Sequence, residues 1–78
     1  MARTQYFVVL HQHEWKVKLN GEHYGPFRTQ DAAIEAAVNA AQSTGAKGGD
    51  AQVLVQGARN RFRTEWTYGH DSYPRLED

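Results

Sequence analysis

The sequence has no cysteine, and it has no apolar run of the length that crosses a membrane. Without cysteine there can be no disulfide and no thiolate metal site, and a reducing compartment is favoured. The N-terminal residues lack the apolar segment and cleavage site of a signal peptide, and no stretch approaches the roughly 20 apolar residues of a bilayer span. We therefore expect a cytoplasmic protein that is not inserted in a membrane.

An excess of charge of either sign is also missing, because nine Lys and Arg residues balance nine Asp and Glu residues. The molecule as a whole has no field that attracts phosphate backbones or anionic membranes, so an electrostatic partner must bind a local patch. A chain of 78 residues is one domain, and it buries only about 60–65% of the surface that it exposes when unfolded. We expect one domain over residues 1–78, with disordered tails at residues 1–4 and 75–78.

The N-terminal third of the sequence has the pattern of three strands. Aromatic and β-branched residues predict a strand over about residues 5–11, and strict alternation predicts a second over residues 14–20. The apolar face of the second strand carries Trp15, Val17 and Leu19, and its polar face carries Lys16 and Lys18. Asn20-Gly21 predicts a type I′ turn into a third strand at about residues 22–27. Pro26 lacks an N–H donor, so this strand is expected at a sheet edge or to end in a bulge.

A helix and two more strands follow. Thr29 is a helix N-cap residue, apolar positions recur at helical spacing to about Ser43, and Gly45 is the expected stop. Residues 51–56 predict a fourth strand, and residues 61–68 a fifth. Alternation places Phe62, Thr64, Trp66 and Tyr68 on one face of the fifth strand, and Arg61, Arg63, Glu65 and Thr67 on the other. The predicted fold is α+β, β-β-β-α-β-β, with one helix packed on one face of a mainly antiparallel sheet.

Four short motifs occur in order along the chain. They are Trp15-x-Val17-Lys18, Thr29 ahead of Ala33-Ile34-x-x-Ala37, Val55-x-Gly57, and Trp66-Thr67-Tyr68-Gly69-x-Asp71-x-x-Pro74. Together they resemble the DUF2188 family, small bacterial and phage proteins of unknown function, over nearly the whole chain. The resemblance implies a strand-rich fold with one packed helix, related to the duplicated domains of the YegP type in which two units pair. It implies no catalytic residue. The chain departs from the family pattern at Asn60, where members often have glycine, and at His11-Gln12-His13.

Histidines form the first candidate site. His11 and His13 are two residues apart, so on an extended backbone both rings point to one side, as in a two-ligand metal site, and His23 could join them. The alternative is that these are solvated residues at a strand end, because a metal site usually has a third or fourth oriented ligand. We favour the alternative and predict no metal and no other cofactor.

Basic residues form the second candidate site. Lys16 and Lys18 share a face of one strand, and Arg61 and Arg63 share a face of another, with Arg59 nearby. Two basic rows on one sheet face could follow a phosphate backbone, which makes nucleic-acid binding a candidate function. The alternative is that they are solvated outer faces, with Glu14 and Glu65 as cross-strand partners.

Aromatic and turn residues near the C-terminus form the third candidate site. Tyr68, Asp71, Tyr73 and Pro74 follow the last strand and could fold over the sheet, sealing the core or binding a partner. Small domains without disulfides often gain burial by oligomerising through strand edges. Protein–protein association, including homodimerisation, is therefore the leading functional expectation. An enzyme is not expected, because no phosphate loop, nucleophile elbow or paired carboxylates occur.

Overall fold

The computed structural model describes residues 3–57 and 61–71 of the chain. Its elements are β1 (Thr4–His11), β2 (Glu14–Leu19), β3 (Glu22–Phe27), α1 (Gln30–Ala46), β4 (Ala51–Gln56) and β5 (Phe62–Thr67). The predicted β-β-β-α-β-β order is confirmed. Thr4, which the sequence assigned to a tail, begins β1, and its N–H donates to the Asp50 carbonyl at 2.9 Å. The expected tail at residues 75–78 lies outside the described residues.

The five strands of the described residues form one sheet in the order β3-β2-β1-β4-β5. Central β1 pairs antiparallel with β2 and parallel with β4, so it joins the N-terminal and C-terminal halves of the chain. The β2–β3 and β4–β5 pairs are antiparallel. The α+β class with a mainly antiparallel sheet is therefore confirmed, and the one parallel pair among the described strands lies at the centre of the sheet.

Both N-terminal hairpins close through two-residue turns in which both residues have positive φ. The β2–β3 turn has Asn20 at 52° and Gly21 at 85°, as expected for the predicted type I′ turn. The β1–β2 turn has the same signs of φ, with Gln12 at 52° and His13 at 66°. In this conformation the turn continues the right-handed twist of the two flanking strands.

The third strand lies at the sheet edge, as its proline predicted. Its pairing with β2 shifts between Trp15 and Val17, where Gly25 and Pro26 stand together opposite Lys16. Proline has no N–H to donate to the ladder, which explains why the regular pairing breaks at this point. The edge that β3 presents is therefore irregular at its C-terminal end.

The helix begins where the sequence predicted. Thr29 is the N-cap, and its hydroxyl accepts a hydrogen bond from the N–H of Ala32 at 3.1 Å. Asp31 adds a carboxylate at the positive end of the helix dipole.

Small residues line the buried face of α1. Ala33, Ala37, Ala41 and Gly45 follow one another at intervals of four, so they lie on one side of the helix and allow its axis to approach the strands. The core consists of Tyr6, Val8, Val17, Ala33, Ile34, Ala37, Val38, Ala41, Ala51, Val53, Val55 and Trp66. All of it lies between the helix and one face of the sheet, which leaves the opposite face without a covering layer in the described residues.

The end of the helix differs from the prediction. α1 continues to Ala46 and includes Gly45, which the sequence identified as the stop. A Cβ atom built at Gly45 would overlap the ring of Tyr68, so the ring packs directly on the helix backbone. Gly45 is thus required by a long-range contact, and the local signal that glycine ends helices was misleading here.

The contact between Gly45 and Tyr68 gives a test by substitution. Alanine in place of glycine normally stabilises an exposed helix interior by about 1 kcal/mol. Here we expect Gly45→Ala to lower the free energy of unfolding by about 1–2 kcal/mol, because the added methyl group must displace the ring. Urea unfolding measures the change. Ser43→Ala, at an exposed position of the same helix, is the control and should be neutral or slightly stabilising. If Gly45→Ala were more stable than the wild type, the close contact between Gly45 and the ring of Tyr68 would be contradicted.

Candidate functional site

The two described members of the predicted C-terminal partner site have structural roles. Tyr68 is half-buried, packs against the core, and lies edge-on to Trp66 with ring centroids 6.3 Å apart. Asp71 accepts a hydrogen bond from the N–H of Thr67 through Oδ2 at 2.7 Å. Its own N–H donates to the Thr67 carbonyl at 3.0 Å, so it closes a turn directly after β5. Tyr73 and Pro74 lie outside the described residues.

The histidines do not have the geometry on which the metal hypothesis depended. His13 lies in the β1–β2 turn with positive φ, so His11 and His13 do not alternate along an extended strand. The ring of His11 instead stacks on that of His23, with centroids 5.7 Å apart and planes 20° apart. In residues 3–57 and 61–71, three or more His, Cys, Asp or Glu side chains nowhere gather as a metal site requires.

The basic residues do not form two rows on one face. Lys16 and Lys18 pair with Val9 and Phe7 of β1, on the face opposite the helix. Arg63 pairs with Val55, a buried core residue, so Arg63 lies on the helix side of the sheet.

A bulge in β5 explains why Arg63 lies on the helix side of the sheet. Trp66 pairs with Val53, but Thr64 pairs with the next residue, Leu54, so one extra residue stands in β5 and the alternation reverses there. The predicted common face of Phe62, Thr64 and Trp66 is therefore wrong, as is the placement of Arg63 beside the lysines. Arg61 is exposed ahead of β5, and its carbonyl accepts from the N–H of Gly57 at 2.6 Å. Arg59 lies outside the described residues.

An apolar groove opens at the β3 edge, on the helix side of the sheet. Its volume is about 210 Å³, and its lining is Tyr6, Val17, Leu19, Tyr24, Phe27, Ala36 and Ala40. Tyr24 forms part of the rim and is 48% exposed. Sequence reasoning missed this groove, because its lining comes from three strands and a helix whose proximity only the fold establishes.

Tyr24 carries the polar group at the rim of this groove. Its hydroxyl donates to Oε2 of Glu22 at 3.2 Å. The negative charge of Glu22, together with this hydrogen bond, raises the pKa of Tyr24 above its usual value. The interaction with Glu22 thus favours the neutral phenol of Tyr24, whose ring lines the groove.

A second cavity opens on the face opposite the helix. Its volume is about 390 Å³, and its lining includes Arg3, Gln5, Phe7, Lys18 and Asn20. Phe7 is half-buried, and its ring meets that of Phe62 edge-on, with centroids 5.3 Å apart. Phe62 is 43% exposed. We call this surface, built on Phe7, Val9, Leu54, Phe62, Lys16 and Lys18, the open face.

Comparison with known proteins finds a family match. The model of the family described as "Uncharacterized protein conserved in bacteria (DUF2188)" matches residues 6–68, well over half of the chain. Searches of curated proteins and of solved structures found no match. Among the described residues, no helix is long and apolar enough to span a membrane.

The turn closed by Asp71 gives a second test. Asp71→Ala removes the acceptor of the Thr67 N–H, and we expect a loss of about 1 kcal/mol in the free energy of unfolding. The Thr67 amide should then exchange with solvent markedly faster in NMR hydrogen exchange. Asp71→Asn, which keeps an oxygen acceptor, is the matched control and should retain most of the protection. Unchanged Thr67 exchange in Asp71→Ala would show that the hydrogen bond does not hold the turn.

Proposed function

We propose that this chain, which belongs to the DUF2188 family, is a non-catalytic interaction module that pairs with a second copy of itself. The observation that carries the proposal is the apolar groove at the β3 edge, with an exposed tyrosine on its rim. The proposal includes a cytoplasmic location, which the cysteine-free sequence favours.

The groove and Tyr24 are complementary in shape and chemistry. The groove is apolar and large enough for a side chain, and Tyr24, one of its lining residues, has about half of its surface exposed. A symmetric dimer uses the same patch on both copies, so a projecting group and a recess on one patch can serve each other across a two-fold axis. Tyr24 of each copy would then enter the groove of its partner, an arrangement that suits the enrichment of tyrosine in interfaces.

Charge and size also support self-association. The net charge of the chain is zero, so two copies meet without overall repulsion. A domain of 78 residues with one helix over one sheet face gains from any further apolar burial. The irregular end of β3 disfavours continuous strand pairing through its edge, because Pro26 cannot donate to a partner strand. We therefore propose contact through side chains in the groove, and not a sheet that continues across the dimer.

The non-catalytic part of the proposal is supported by the lining of the two cavities. Among the described residues, no carboxylate, histidine or serine lines either of these two cavities. Carboxylate, histidine and serine side chains are the groups that most often carry general acid–base or nucleophilic chemistry beside a bound substrate. The lining groups instead suit contact and binding.

Light scattering after size-exclusion chromatography tests the dimer. At high protein concentration we expect a mass of twice the 8.8 kDa of the chain. Ala40→Glu should shift the protein to the monomer, because it places a charge at the groove while Ala40 itself is exposed and not part of the core. Ala32→Glu, the same change at an exposed position of the same helix outside the groove, is the control and should leave the dimer intact. A wild-type mass that stays at 8.8 kDa up to about 1 mM would overturn the proposal.

A further inference from the structure

The open face is a second surface, on the other side of the sheet from the groove. Cross-strand pairing aligns Lys18, Phe7 and Leu54 in one row, because Phe7 pairs with both of the others. Lys16 and Val9 pair in the neighbouring row. Aromatic and aliphatic side chains thus occupy the centre of this face, and lysines occupy its β2 side.

The cations of the open face are available for a ligand. Within the described residues, Arg3 and Lys18 take part in no ion pair, and both line the cavity beside Phe7. Lys16 lies 3.8 Å from a carboxylate oxygen of Glu14, a long contact that holds it only weakly. The cavity lining contains no carboxylate, so an anionic group that enters it meets positive charge alone.

The net charge of zero does not show the local excess of positive charge on the open face. The exposed side of α1 carries Asp31 and Glu35, and the last turn of the helix has no basic residue. Because α1 covers the opposite side of the sheet, these carboxylates and the lysines lie on different sides of the sheet. The open face is therefore a local basic patch of the kind that an electrostatic partner of this neutral chain would need.

The aromatic residues determine which anion fits. Phe7 on the central strand β1 and Phe62 on the edge strand β5 form an aromatic pair on the open face, with Phe62 43% exposed. Exposed aromatic rings on a sheet bind unpaired bases by stacking, while adjacent cations contact the phosphates. A duplex hides the faces of its bases, and a few cations are too few to hold it through phosphates alone.

We propose that the open face binds single-stranded nucleic acid, with bases on Phe62 and Phe7 and phosphates on Lys18, Arg3 and Lys16. Arg63, on the helix side of the sheet, takes no part. This site is independent of the proposed dimer, because the groove opens on the helix side. The ligand class and two of the cations, Lys16 and Lys18, match the nucleic-acid function considered from the sequence. Arg3 and the aromatic pair replace the arginines predicted there, and the aromatic pair makes single strands the ligand.

Fluorescence anisotropy with a labelled oligonucleotide of about 12 nucleotides tests the site. We expect single-stranded RNA or DNA to bind at low salt at least about tenfold tighter than a duplex of the same sequence. With three phosphate contacts, we expect the logarithm of the association constant to fall with the logarithm of the salt concentration with a slope of about −2. Absence of salt-sensitive binding at low salt, or equal or tighter binding of the duplex, would overturn the proposal.

Two variants separate stacking from charge. Phe62→Leu keeps an apolar residue but removes the ring, and Lys18→Gln removes one charge; each should weaken binding about five- to tenfold. Arg63→Gln is the matched control for charge and should leave the affinity unchanged. An affinity that Phe62→Leu leaves intact would reduce the site to a general anion surface and overturn the stacking site, as would equal losses in Lys18→Gln and Arg63→Gln. The Ala40→Glu variant should still bind, which keeps failure of the dimer distinguishable from failure of this site.

Discussion

The packing of one small-residue helix face against one side of a five-stranded sheet is the contact on which the rest of the molecule depends. Alanine and glycine at every fourth position of α1 bring its backbone close to β1 and β4, and Trp66 and Ile34 fill the space around this contact. A single helix cannot cover a second face. The open face and the groove at the β3 edge are both consequences of that limit.

Local patterns were sufficient to predict the elements of the fold. The N-cap Thr29, the Asn20-Gly21 turn and the position of β3 at the edge each depend on residues adjacent in sequence, and each was predicted correctly. The parallel pairing of β1 with β4 could not be derived in this way, because it joins residues that are far apart in the chain. Gly45 shows the same limit, since a distant ring and not the local sequence decides whether the helix continues there.

The candidate surfaces were harder to predict than the fold. Alternation assigns faces correctly only while the pairing is regular, and one extra residue in β5 moved Arg63 to the helix side. The residue types near Thr64 give no sequence signal for that bulge. Lys16 and Lys18 were assigned correctly to a common face because β1 and β2 pair without interruption. Asp71, one of the residues predicted to bind a partner, accepts the backbone hydrogen bond that closes the turn after β5.

The parallel pair at the centre of the sheet has a consequence for how the chain reaches this fold. The hairpins that join β1, β2 and β3 close through two-residue turns, so this part of the sheet forms from local contacts. The other side of β1 must wait for β4, since Thr4 pairs with Ala51 only after the whole helix has been made. Until then the strand at the heart of the final sheet is itself an exposed edge. The chain is therefore most open to edge-to-edge aggregation before β4 pairs with β1.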